Sequence, residues 1–238
     1  AASDVYKRQD KECENLNYLR EKSVDSIPEV LFRCDLDDLK LFCQSSVKDK
    51  SGQTIDRMTE KHWLFLANLY NKTRTVIKFE ETDYYALLKR VKKNAVVLKE
   101  TDLEIVQRAC ELISKKYNNS TVEFGFYHGD FTPWNTVIEN GKIKVFDFEY
   151  AKRTYPPYLD AVHYLLQKNF FVDGLNDANQ IYSSLKESSI WKKFDDRRSL
   201  EMVIMYLLEI INLYLSRTSE ESLDEKSRQK IRIEILEK

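Results

Sequence analysis

A chain of 238 residues with 42% apolar side chains can build one large domain, or a small lobe joined to a larger one, around a real core. Its 38 basic and 39 acidic side chains leave a formal charge of −1, which removes the bulk electrostatic case for nucleic acid or a membrane surface as partner. With only five glycines and four prolines, most of the chain is expected to be helix or strand.

The first nine residues, AASDVYKRQ, resemble a translated cloning junction and are set aside as non-native. Residues 10–22 predict a helix with Leu16 and Leu19 on one face. Ile27-Pro28 breaks it, and 29–32 and 39–43 read as two strands joined by a turn at 35–38. The polar stretch 45–53 reads as a connector. A helix over 57–70 follows, with Asp56 as N-cap, and a shorter one over 82–93. The helix predicted over 101–116 opens with a Thr101–Glu104 capping box. Alternation in 121–127 predicts a strand with Val122, Phe124 and Phe126 on one face. Residues 136–146 read as a hairpin, 157–170 as a helix after prolines, and 200–215 as a mostly buried helix. The charged tail, 220–238, reads as an exposed helix, and its acids Glu220, Glu221, Asp224 and Glu225 as a solvated face.

The cysteines (Cys13, Cys34, Cys43, Cys110) form no CxxC pair and stand at no metal-site spacing from a histidine, so reduced, buried thiols in a cytoplasmic protein are expected. The most apolar run, 202–215, carries Glu209 and Asn212 and falls short of the roughly 20 residues a spanning helix needs. His62 and His163 lie on predicted helices and read as partly buried helix residues.

The chemistry is concentrated in HGDFTPWNTVIENGKIKVFDFE, residues 128–149. Asn140-Gly141 between two apolar β runs predicts a two-residue turn, because both central positions need positive φ. Counting outward pairs Glu139 with Lys142, Ile138 with Ile143, Val137 with Lys144, Thr136 with Val145 and Asn135 with Phe146. Asp147 then lies beside Asn135, and both offer the oxygen ligands that Mg²⁺ prefers. Asp130, on the loop entering the hairpin, places a free carboxylate next to them. Phosphoryl transfer uses these parts: a carboxylate to take the proton of an attacking hydroxyl, and a metal to neutralise phosphate oxygens.

His128-Gly129-Asp130 through Asn135, followed by Asp147-Phe148-Glu149, resembles the catalytic signature of protein kinases. Gly129 in place of arginine, and Glu149 in place of glycine, make it more similar to the aminoglycoside phosphotransferase and choline kinase-like family. That resemblance spans about residues 12–215, with its specific core at 128–160. It implies an α+β, protein-kinase-like two-lobe fold: a partial N-lobe at 10–46 (helix, two strands, hinge) and a mainly helical C-lobe at 47–238. It implies ATP and Mg²⁺ as cofactors and the hydroxyl of a small molecule (sugar, amino alcohol or aminoglycoside) as phosphate acceptor. Asp130 would be the catalytic base, Asn135 and Asp147 the metal ligands, and His128 a brace for the loop. Asp160 would anchor the loop from below. Glu12 would occupy the helix position that pairs with an ATP-binding lysine, and backbone groups of Gln44, Ser45 and Ser46 would meet adenine.

The resemblance also calls for a phosphate-covering loop and a lysine-bearing strand before Glu12. Only eleven residues precede Glu12, so an N-terminally shortened chain that binds ATP poorly is expected. Two other readings use the same residues: a non-catalytic pseudokinase-like binding module, and a metal-dependent hydrolase. Trp134 and Phe131 read as packing for the loop.

Overall fold

The computed structural model describes residues 2–36, 39–46, 54–216 and 223–238. Part of the predicted 35–38 turn, most of the predicted 45–53 connector, and Glu220 and Glu221 of the acidic run lie outside them. The architecture is α+β and mainly helical. Helix α1 (Ala2–Glu21) leads into an antiparallel hairpin of β1 (Val30–Leu36) and β2 (Leu39–Gln44). The helix predicted from residue 10 therefore begins at Ala2, and Leu16 and Leu19 sit in the core as their spacing requires.

Helix α2 (Glu60–Thr73) starts later than Asp56 would dictate, because Thr59 is the cap. The ring of His62 turns back, and its Nδ1 accepts the Thr59 N–H at 3.1 Å. Burial drives the His62 pKa down to about 4, which suits a neutral ring acting as an acceptor. Helix α3 (Asp83–Asn94) is capped by Thr82, whose hydroxyl accepts the Tyr85 N–H, and it buries Tyr84, Leu87, Leu88 and Val91 at the i, i+3, i+4, i+7 positions. Helix α4 (Glu100–Tyr117) has Lys99 at its N-cap, without a side-chain bond. The predicted Thr101–Glu104 box is thus drawn into the helix body. Two acids in the first turn and Lys115 and Lys116 in the last complement the helix dipole instead.

The middle of the chain supplies a three-stranded antiparallel sheet in the order β3 (Thr75–Lys78), β4 (Thr121–Tyr127), β7 (Lys152–Tyr155). A separate hairpin joins β5 (Thr136–Glu139) to β6 (Lys142–Val145) in the register read from the sequence. Asn140 (φ 47°) and Gly141 (φ 76°) make its turn. The outer strands of the sheet, β3 and β7, were not predicted; both are four residues long and too short for a period-two pattern to register.

Helices α5 (Leu159–Phe171), α6 (Ala178–Glu187), α7 (Ser189–Lys193), α8 (Asp196–Leu215) and α9 (Leu223–Glu237) complete the fold. Asp177 and Asp195 cap α6 and α8 by accepting N–H groups of their first turns. The tail is not an exposed helix. In α9, Ile231, Arg232, Ile233 and Ile235 are buried against α4, α6 and α8, and Gln229 donates to the Ile211 carbonyl at 3.0 Å. Arg232 is wholly buried, paired with Glu225 at 2.5 Å, with its guanidinium 4.3 Å from the Tyr214 ring centre. The cysteine expectation also needs correcting: all four are free thiols, but Cys34 is exposed and Cys43 half-buried on the β1–β2 hairpin. Among the described residues, no helix is long and apolar enough to cross a membrane.

Candidate active site

Strand β4 delivers the chain to His128, and β7 returns beside β4 just after Asp147, so two adjacent strands bring both ends of the motif together. The close approach is made at Gly129. Its φ is 87°, and a Cβ there would lie 2.7 Å from the Tyr150 carbonyl oxygen. This is the physical reason for glycine between His128 and Asp130.

Asp160, one residue into α5, accepts the N–H of His128 at 2.9 Å and of Gly129 at 3.0 Å. Burial raises its pKa to about 6 against these two bonds. His128 is fully buried. Its Nδ1 accepts the Asp130 N–H at 3.1 Å, which leaves Nε2–H to donate to the Phe146 carbonyl, also at 3.1 Å. One ring therefore spans from the loop to the residue before Asp147, as a brace would. Burial drives it down to about 4 despite the raising influence of Asp130. Phe131 fills the space beneath, stacked on Phe65 at 5.9 Å and packed against Tyr164 and His62. Trp134 is more exposed, edge-on to Phe171.

Asn135 closes the loop. Its Nδ2 donates to the Asp130 backbone carbonyl at 3.0 Å and to Asp130 Oδ2 at 2.7 Å. Both partners are acceptors, so the amide orientation is fixed, and Asn135 Oδ1 is the group left to a cation. The Phe146 N–H donates to the Asn135 carbonyl at 3.2 Å, which brings Asp147 next in line. Asp147 holds φ at 70°, a left-handed conformation that costs a non-glycine residue about 1–3 kcal/mol and persists only where surroundings enforce it. Burial, with Glu149 and Asp130 adding repulsion, raises the Asp147 pKa to about 6.

Helix α1 clamps the residue after Asp147. Glu12 accepts the Phe148 N–H at 3.4 Å, and Asn15 Nδ2 donates to the Phe148 carbonyl at 2.9 Å. Burial and Asp147 raise the Glu12 pKa, while the Phe148 N–H and the nearby Gln44 side chain work against the rise. Arg8, four residues before Glu12, reaches Glu149 at 3.5 Å and the Tyr150 hydroxyl at 3.1 Å. Among the three residues expected near adenine, Ser45 has spent its N–H on the Glu29 carbonyl at 2.8 Å and its hydroxyl on the Glu29 N–H at 2.9 Å. Gln44 ends β2, with its side-chain oxygen buried and unpartnered, and Ser46 follows the strand.

The largest omission from the sequence reading is His163. It is buried, and it joins Asp130 Oδ1 at 3.1 Å through Nε2 and the Tyr206 hydroxyl at 2.8 Å through Nδ1. Burial would raise the Asp130 pKa, but bonds from His163 and Asn135 and the nearby His128 hold it below the usual value. The signal was available: His163 follows Asp160 by three positions, on the same helical face that meets the loop. Asn15 and Tyr206 carried no comparable mark.

Asp130, Asp147, Glu149 and Glu12 thus repel one another in one cleft. Among the described residues, no group of three or more His, Cys, Asp or Glu side chains forms a self-sufficient metal site. A donor set of one carboxylate and one amide oxygen suits Mg²⁺, which takes few protein ligands and completes its shell with water and phosphate.

No protein-family model matches the chain, and no curated protein matches its sequence. Among solved structures, the choline kinase LicA from Streptococcus pneumoniae is similar in fold, with a TM-score of 0.55 at 14% identity, covering 96% of this chain and 80% of that one. A likeness at that identity carries the kinase-like fold and nothing finer.

Proposed function

We propose that the chain is an ATP-dependent phosphotransferase that moves the γ-phosphate to a hydroxyl of a small molecule: a sugar, an amino alcohol or an aminoglycoside. One observation carries the reading. The Asn135 amide nitrogen is committed to Asp130, which leaves its oxygen unused, and the Phe146 N–H bond to the Asn135 carbonyl sets the strained Asp147 next in line. In this reading Asp130 receives the proton of the acceptor hydroxyl as its oxygen bonds to phosphorus and the bond to ADP breaks. Mg²⁺ held by Asn135 and Asp147 would neutralise the phosphate oxygens. His128 and Asp160 fix the loop backbone, while Glu12 and Asn15 fix the Asp147 turn. A division into a small lobe ending at residue 46 and a helical lobe beyond it belongs to the same proposal. So does a cytoplasmic setting, where ATP is abundant and four free thiols are stable.

The direct test mixes the protein with ATP and a panel of alcohols and follows ADP release and ³¹P resonances of the products. Magnesium-dependent transfer to at least one acceptor is expected, with the Asp147→Asn chain losing the magnesium response. Nucleotide binding and turnover that are unaltered by chelation would sink the reading.

The His163–Tyr206 pair makes a second expectation. A hydrogen bond to a charged carboxylate contributes about 1.5–3 kcal/mol, so His163→Leu is expected to lower kcat roughly 10- to 100-fold with KM for ATP little changed. His163→Gln, whose amide can still donate to Asp130, should recover most of the loss. Equal damage from both replacements would show that the ring matters only for packing.

A further inference from the structure

Behind the Asp147 turn lies a second cavity of about 500 Å³, separate from the carboxylate cleft. It is bounded by α1, α3, β7 and α8, and its lining includes Lys11, Arg90 and Lys152. Lys11 and Lys152 lie close enough to repel each other, and no ion pair forms between any of these three cations and a described carboxylate. Acids line the cavity too, and without forming an ion pair Asp83 and Glu209 favour the Lys11 charge, Glu209 acting on Lys152 and Arg90 as well. Asp83 accepts the backbone N–H groups of Arg153 and Thr154 at 2.9 and 3.0 Å, and Glu209 accepts the Tyr155 hydroxyl at 2.8 Å. Glu14 is exposed at the rim. A fourth cation, Arg153, is committed: its guanidinium lies 3.7 Å from the Tyr18 ring centre and donates to the Glu14 carbonyl at 3.3 Å.

Two like charges in a partly enclosed space still repel each other where the lining carboxylates form no ion pair with them, and an anion seated between them offsets that repulsion. We infer that this cavity binds a phosphate-bearing small molecule, with Lys11 and Lys152 flanking the phosphate and Arg90 closing on it from the open side. Ammonium groups serve as point-charge phosphate donors, and a guanidinium adds a bidentate edge. The cavity exceeds what phosphate alone fills, so a phosphate monoester or nucleotide is the class it fits. Lys11 adjoins Glu12 on α1, and Lys152 opens β7 three residues after Glu149. The occupant would therefore tie α1 to the strand that follows the Asp147 turn. Burial and the neighbouring Lys152 lower the Lys11 pKa to about 8 despite the raising influence of Asp83 and Glu209.

The probe is inorganic pyrophosphate, titrated calorimetrically without metal or nucleotide at constant ionic strength, with chloride as control. Saturable binding is expected, weakened at least about tenfold, or 1.4 kcal/mol, in Lys11→Met and in Lys152→Met. The Asp147→Asn chain should bind as the parent does, because its change lies in the other cleft. Melting temperatures in chloride check that the methionine variants fold. Arg90→Gln, an exposed change, provides the same reading if they do not. No saturable binding, or binding lost in Asp147→Asn and kept in the lysine variants, would overturn the inference. Because the measurement needs no phosphotransfer, it stands or falls apart from the kinase reading.

Discussion

Asp130→Asn is expected to slow phosphotransfer by roughly 10²- to 10⁴-fold, the range for loss of a positioned general base, or about 3–5 kcal/mol of barrier. The same change should leave the fold nearly intact, and this separation is what makes it informative. Asp130 accepts from His163 on one oxygen and from Asn135 on the other. Asparagine keeps one acceptor and presents an NH₂ group at the second place. If its oxygen keeps Asn135, the NH₂ faces His163, whose ring can exchange tautomers: Nε2 becomes the acceptor and Nδ1–H donates to the Tyr206 hydroxyl. All donors stay matched. Turnover assays paired with urea unfolding check both halves. A mutant with full rate against every acceptor that the parent phosphorylates would remove Asp130 from the chemistry. One that loses rate only in proportion to stability would make it a structural residue.

Gly129→Ala is expected to destabilise the protein by about 2–5 kcal/mol. A residue with a Cβ at φ 87° pays about 1–2 kcal/mol for the left-handed conformation. The contact at 2.7 Å falls on backbone oxygen, which cannot rotate away as a side chain would, and overpacking of this kind costs about 1–3 kcal/mol more. Relief requires parting the loop that carries Asp130 from the turn that carries Asp147, so activity should fall along with stability. Equilibrium denaturation gives the number. A loss under about 1 kcal/mol would mean that the loop and turn move apart without penalty.

The legible parts of this protein are those in which local chemistry admits one answer. Asn140-Gly141 permitted one turn, the turn fixed the register, and the register placed Asp147 beyond the partner of Asn135. Where two local signals competed, sequence reading chose the wrong one. Thr59 outcompetes Asp56 because His62 can return a bond to it, a contribution that no capping rule ascribes to histidine. In the last helix, charge hid the core. The run Lys230 to Glu234 alternates apolar and charged residues, which resembles neither a solvated face nor an amphipathic helix, yet Ile231, Arg232 and Ile233 are all buried. Tyr206 and His163 lie on different helices, 43 positions apart, and only tertiary packing brings their bond about.

The position of that last helix has a consequence for biosynthesis. The surface of α8 around Ile211, whose carbonyl takes the Gln229 amide, is completed only when residues near 229–235 arrive, and those are translated after the rest of the described fold. A ribosome paused before them would hold an otherwise assembled body with an apolar seam open to solvent, the kind of surface that chaperones recognise.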